Sequence, residues 1–455
     1  MDINVELRGR NPILPINYHI PDCEARVMPD GRLYLFGSCD KDPSFYCSEE
    51  YQVFSTDDMI HWEAHGRSFS LSEIPREAKK TVPEVSWLSY VECFEDLPLQ
   101  MRSRIPNIVS KMPFKLVRKL IAAGMKGQSP LVLYAPDAIE RDGKYYLYYC
   151  LSNGSEGVAV AEKPSGPYRF CRQFAIAGID PSVFIDDDGQ AYLYWGQFLS
   201  SAARLLPDMV TIEEDSVVHG IVTEKEHFFH EGSSVRKRGD VYYYVFADSS
   251  SGKPTALGYA MGSSPLGPFR YQGVIIDNIG CDPESWNNHG SIEEYHGQWY
   301  VFYHRSSRGS NSMRRVCAEP ITFREDGTIV PVEMTSMGAG DAFVVNEFIP
   351  AYTACSLSGK VCLMQDGESG RGELAEGFAD GDSLYFKYID IEEPGQVSVL
   401  LDEKGSADVR VYLDDILVYG GEVTGSVMVL PGRYTIHIQV NLPERYRLYG
   451  LKVTA

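Results

Sequence analysis

One pattern recurs five times in the first three-quarters of the chain, and it constrains the fold more than anything else in the sequence. An acidic residue or a His precedes a short apolar strand, a turn with Gly follows, and an aromatic-rich second strand comes next. The copies are Asp22…Gly31-Arg-Leu-Tyr-Leu-Phe-Gly, Asp137…Gly143-Lys-Tyr-Tyr-Leu-Tyr-Tyr, Asp180…Gly189-Gln-Ala-Tyr-Leu-Tyr-Trp, Glu231…Gly239-Asp-Val-Tyr-Tyr-Tyr-Val and His289…Gly297-Gln-Trp-Tyr-Val-Phe-Tyr. The polar residue stands 9, 6, 9, 8 and 8 positions before its glycine. Each copy reads as a β-hairpin with a Gly turn. From Gly143 onward the glycines are 46, 50 and 58 residues apart, about one four-stranded propeller blade each.

Five such units predict an all-β chain whose first part, residues 1–340, closes into a five-bladed β-propeller. The interval from Gly31 to Gly143 is 112 residues, too long for one blade, so an insertion is expected at about 72–130. Within it Asn107–Lys126 carries basic and apolar residues at helical spacing, which predicts a helical excursion serving as a wall of the site or as a partner surface. From about residue 345 to 455 the pattern changes to period-two alternation, as in Ser383–Ile391, Asp408–Leu413 and Arg433–Val440, with Gly and Asp turns between. That predicts a small antiparallel β-sandwich.

Equivalent positions of a closed repeat cluster around its axis. Asp22, Asp137, Asp180, Glu231 and His289 are therefore expected near one centre. Carboxylates held close split their protonation states, and glycoside hydrolysis needs that split: one carboxyl protonates the leaving oxygen while another activates water. The longer reach of Glu231 suits the acid and Asp22 the base. An Asp before a strand often only bonds local backbone N–H groups, and Asp180, in Gly-Ile-Asp-Pro-Ser, is read that way.

The local surroundings of the other three, His19-Ile-Pro-Asp22-Cys, Tyr134-Ala-Pro-Asp137-Ala and Phe229-His-Glu231-Gly-Ser-Ser, resemble glycoside hydrolase family 43. The likeness runs from Asn11-Pro-Ile-Leu-Pro through Glu319-Pro-Ile-Thr-Phe-Arg-Glu-Asp-Gly-Thr-Ile-Val-Pro-Val332, apart from the insertion. Asp22 is followed by Cys23, where the family's base is commonly followed by Pro. The resemblance implies a five-bladed propeller working with inversion, with Asp22 as base, Asp137 as the residue that orients and tunes the acid, and Glu231 as acid. It implies that His289 is the family's axial His, which in many members holds a calcium ion through waters. It places Arg314 or Arg315 near the acid or the terminal sugar. Trp195 is a candidate sugar platform, with strand core as the alternative reading. The C-terminal part resembles a family 6 carbohydrate-binding module, which either binds sugar or braces the propeller. No organic cofactor is called for.

The substrate implied is a plant-type oligosaccharide cut from its end, an α-L-arabinofuranoside before a β-xyloside or galactan. A retaining fructosidase-like propeller and a non-catalytic glycan binder are the alternatives. A net charge of −21 argues against nucleic acid and anionic membrane as partners. No run is apolar enough to span a bilayer, and no signal-peptide pattern opens the chain, so a cytoplasmic location is expected. The ten scattered cysteines fit buried free thiols. Oligomeric state is not legible.

Overall fold

The computed structural model describes residues 8–80, 91–124, 130–367 and 372–455. Four sheets of four strands and one of three follow each other along the chain. The first blade is β1 (Glu24–Val27), β2 (Leu33–Gly37), β3 (Glu50–Thr56) and β4 (Trp62–Ser70). The second is β5 (Asp137–Arg141), β6 (Lys144–Cys150), β7 (Ser155–Ala161) and β8 (Arg169–Ala177). The third is β9 (Ser182–Ile185), β10 (Ala191–Trp195), β11 (Leu199–Leu205) and β12 (Val218–Thr223). The fourth is β13 (Phe229–Arg238), β14 (Val241–Asp248), β15 (Ala256–Gly262) and β16 (Phe269–Ile276). The fifth is β17 (Ser291–Tyr295), β18 (Gln298–Ser307) and β19 (Ser310–Ile321).

All pairings within the blades are antiparallel, and each first-to-second-strand connection is a hairpin. The five turn glycines, Gly31, Gly143, Gly189, Gly239 and Gly297, all have positive φ, which an L side chain adopts only with strain. Second strands such as Leu33–Gly37 and Ala191–Trp195 are buried throughout, because neighbouring blades cover both faces. That is why they are continuous apolar and aromatic runs. Outer strands such as Arg169–Ala177 are mostly exposed, and polar residues are interleaved there.

The innermost strands meet in a ring, β1 beside β5, β5 beside β9, β9 beside β13, β13 beside β17 and β17 beside β1. The start of the chain closes the fifth blade. The Ile13 N–H donates to Val316 O at 3.1 Å, and the Asn11 amide both donates to and accepts from the backbone of Ala318. Below the site, the axis is crossed by buried ion pairs. Arg26 grips Asp137 at 2.5 and 3.0 Å, and Arg236 reaches Glu24 at 2.9 Å and Glu293 at 2.8 Å. Each links two blades, and removing one partner of such a pair costs about 3–5 kcal/mol.

In the insertion, α1 (Leu99–Arg104), α2 (Asn107–Ser110) and α3 (Phe114–Gly124) confirm the helical reading up to Gly124; Met125 and Lys126 lie outside the described residues. The C-terminal part is a ten-stranded, mainly antiparallel sheet curled around one apolar core that includes Phe386, Val411, Ile438 and Leu451. Its long strands, Gly395–Leu413 and Gly432–Thr454, change register repeatedly where they pair. Such bulges bend a strand and let one sheet close over its own core. This part is tied to the fifth blade through Leu363 N–H to Asp282 at 2.7 Å and Arg308 to Glu373 at 3.1 Å.

Candidate active site

The site lies at the upper end of the innermost strands and is built on two carboxylates of unlike environment. Asp22 immediately precedes the first blade, with a left-handed φ of 58°. Its side chain is 5% exposed. Arg314 Nη1 donates to Oδ1 at 2.8 Å, and Ser38 Oγ donates to Oδ2 at 2.6 Å. Burial alone would raise this carboxyl, but the Arg314 guanidinium and the Ser38 hydrogen bond bring it below its ordinary value. It is an ionised, firmly held carboxylate.

Asp180 occupies the matching position in the third blade, also at positive φ. Among the described residues no Lys or Arg pairs with it. Burial, then the charges of Glu231 and Asp22, push its carboxyl well above the usual range. Between Asp22 and Asp180 sits His289, whose Nδ1 is 4.0 Å from the first and 3.7 Å from the second. Burial keeps this imidazole below its ordinary pKa. His304, driven to about 3 by burial and then by Arg314, is neutral, and its Nδ1 accepts the Asp22 N–H at 3.3 Å.

Glu231 enters from β13, where the pairing with β14 slips on both sides of it. The slip sets this side chain off the regular pleat, half-buried at the site. Gln197 Nε2 donates to its Oε2 at 2.6 Å. Gly232 follows at φ 78°, and a Cβ there would come within 2.8 Å of the His289 ring. Only glycine lets the strand pass so close to that imidazole. Burial raises the phenols of Tyr46 and Tyr134, and both lie near enough to Glu231 for its charge to add to the rise.

Asp137 stands apart from this group. Arg26, Ser182 Oγ and the N–H groups of Val183 and Ala138 satisfy its oxygens, and it is fully buried. The hairpin registers explain why. Asp137 faces Tyr148, as Glu24 faces Phe36 and Ser182 faces Tyr194, so these three share one rung. Asp22 and Asp180 are each two residues higher, and Ala135 takes that position in the second blade. The offsets carried this signal: Asp22 and Asp180 both lie 9 before their glycines, Asp137 only 6.

The two arginines separate because neighbours on a strand point to opposite faces. Arg314 reaches Asp22 and Asp40, while Arg315 turns away to Glu373 and to Ile16 O. Trp195 is 3% exposed and packs with Tyr148, Phe174 and Leu193 between blades, so it offers no face to a sugar. Sequence reading missed Gln197, His304 and Asp40. Gln197 follows the Tyr-Leu-Tyr-Trp-Gly strand end, where the chain leaves the blade toward the axis.

Among the described residues no group of three or more His, Cys, Asp or Glu is arranged to hold a metal. Calcium takes about six to eight oxygen ligands. Here the axial group is an imidazole whose buried Nε2 has no partner among the described residues, and the Asp22 carboxylate is already engaged by Arg314 and Ser38. These residues supply no inner sphere of protein oxygens for calcium; an ion held through waters, as the resemblance implies at His289, would not need one, and the steps below are derived for the protein groups.

The insertion packs on the rim of the third and fourth blades. Val91, Leu97 and Val117 share a core with Phe198, and Lys225 pairs with Asp96 at 2.9 Å. It therefore walls the side of the site that carries Gln197 and Glu231.

The family model "Glycosyl hydrolases family 43" matches residues 117–329. The chain is 30% identical to a xylosidase/arabinosidase of Thermoclostridium stercorarium, over 98% of this chain and 95% of that one. Over 38% of the chain and 65% of the relative it is 35% identical to a β-xylosidase of Xylanibacter ruminicola. In fold it is similar to the arabinoxylan arabinofuranohydrolase of Bacillus subtilis solved with cellotetraose (TM-score 0.52, 20% identity, 98% of both chains). It is likewise similar to the GH43_1 enzyme of Xanthomonas citri complexed with xylotriose (TM-score 0.53, 24% identity, 72% of this chain and 96% of that one). A likeness that spans nearly the whole of both sequences, on a five-bladed propeller with carboxylates at its axis, makes this chain a glycoside hydrolase of family 43.

Proposed function

We propose that this glycosidase works with inversion and from chain ends, releasing a terminal pentose from arabinoxylan-type oligosaccharides, α-L-arabinofuranose in the first place. The observation that carries the reading is the contrast between Asp22, held ionised by Arg314, and the neighbouring Asp180, pushed toward its protonated form beside Glu231. Asp22 takes a proton from water as that water attacks the anomeric carbon. Glu231 gives a proton to the glycosidic oxygen as the C–O bond breaks, so the charges balance. Both Asp22 oxygens accept hydrogen bonds, which favours polarising water over attacking carbon directly.

The orienting and tuning role that the family resemblance implies for Asp137 is assigned instead to Asp180, because Asp180 is the carboxyl that feels Glu231. Arg314 holds the base. The helical insertion beside Glu231 supports a closed pocket and hence exo action. The double name of the full-length relative makes β-xylosides the second substrate to test.

The test is a panel of nitrophenyl pentosides and arabinoxylo-oligosaccharides, with proton NMR of the anomer first released by the wild type and by Asp22→Asn. An inverted first product from the wild type, lost in the variant, supports the reading. A retained anomer, or full turnover by Asp22→Asn, overturns it.

A further inference from the structure

Three of the four described tryptophans are accounted for by the fold: Trp195 and Trp299 pack against blade cores and Trp62 lies on the outer strand β4. Trp286 is different. It is half-buried, in the loop before β17, and it stacks on His230 at 5.9 Å between centroids with the planes 28° apart. His230 directly precedes Glu231.

Phe198 also meets the His230 imidazole, edge-on at 5.0 Å, and donates its N–H to His230 O at 2.7 Å. Phe198 is also the residue on which the insertion packs, and Gln197, next to it, bonds Glu231. The insertion, Phe198, His230 and Trp286 thus form one continuous layer against the strand that bears Glu231.

We infer that Trp286, backed by His230 and the insertion, is the platform of a leaving-group subsite that stacks on the sugar ring next to the bond being cut. This rests on the reading of Glu231 as the acid. An acid must lie within hydrogen-bond reach of the glycosidic oxygen, so groups flanking it on the side away from Asp22 meet the departing sugar. A half-buried indole held by the His230 ring presents a rigid apolar face at little entropic cost. The C–H face of a pyranose is its natural complement. The ligand class is therefore a neutral oligosaccharide with at least one residue beyond the terminal pentose.

The experiment compares two substrates on wild type, Trp286→Ala and Trp286→Phe. One is the arabinoxylo-oligosaccharide; the other is the matching pentosyl fluoride, whose leaving group has no ring. The expected result is a fall of tenfold or more in kcat/KM for the oligosaccharide in Trp286→Ala, mainly through KM, with Trp286→Phe recovering most of it. Fluoride turnover stays within twofold, which also shows that the variants are folded. If both substrates fall together, or the oligosaccharide is unaffected, the subsite is overturned while the hydrolase reading stands. If the wild type turns over neither substrate, the hydrolase reading fails and takes the subsite with it.

Discussion

Arg314 Nη1 lies 2.8 Å from Asp22 Oδ1, and the same guanidinium closes on Asp40 at 2.9 and 3.0 Å. One buried cation thus holds two buried carboxylates, and only one of them faces the site.

Replacing Arg314 by Met leaves burial as the dominant influence on Asp22 and raises its pKa. The acid limb of the kcat/KM–pH profile should move to higher pH, with turnover at neutral pH falling by roughly 10²-fold or more. The folded-state pKa of Asp22 lies below its unfolded value, so its contribution to stability is present above the unfolded value and fades as pH falls through the folded one. Loss of Arg314 should destabilise by about 3–5 kcal/mol. Melting curves and the pH profile read both effects, and an unmoved acid limb would refute the coupling.

Asp180 and Asp137 should respond differently to the same change. Asp180→Asn removes the carboxyl that the charge of Glu231 helps to raise, and the expected result is a large loss of kcat with little change in melting temperature. Asp137→Asn breaks the Arg26 ion pair that joins two blades. Its main effect should be a loss of about 3–5 kcal/mol of stability. Equal loss of stability in the two variants would contradict this division.

Glu231→Gln should show a dependence on leaving group. Substrates with poor leaving groups need the proton and should slow by about 10²–10⁴-fold. Nitrophenyl pentosides, whose leaving groups need less help, should slow less. Uniform loss across the series would argue against Glu231 as the acid.

Glu24 sits one rung below Asp22, and burial, then the charge of Asp137, push it up to about 7. A carboxyl raised on folding contributes its stability fully below the unfolded pKa and loses it as pH rises through the folded one. The wild type should therefore lose part of its melting temperature between pH 5 and pH 8, and Glu24→Gln should flatten that slope. Parallel slopes in the two proteins would dismiss the effect.

Much of the architecture was legible because it is written locally. The positive-φ glycines Gly31, Gly143, Gly189, Gly239 and Gly297 mark the hairpins, and the buried aromatic runs after them mark strands covered on both sides. A local pattern repeated five times needs no knowledge of distant contacts to announce a ring. The candidate acid and base were legible for the same reason, as the polar residues that open the repeats.

What remained was decided by pairing between distant parts of the chain. Register set Asp180 level with Asp22 and dropped Asp137 two residues lower, to Arg26. Strand parity sent Arg314 to Asp22 and Arg315 toward Glu373, although the two are adjacent in sequence. Packing between blades buried Trp195 and left Trp286 stacked on His230, the residue before Glu231. Residue type and spacing determine which elements form; which side chains share a pocket depends on hydrogen-bond register and blade closure, and a shift of two residues along a strand is enough to exchange a site residue for a structural one.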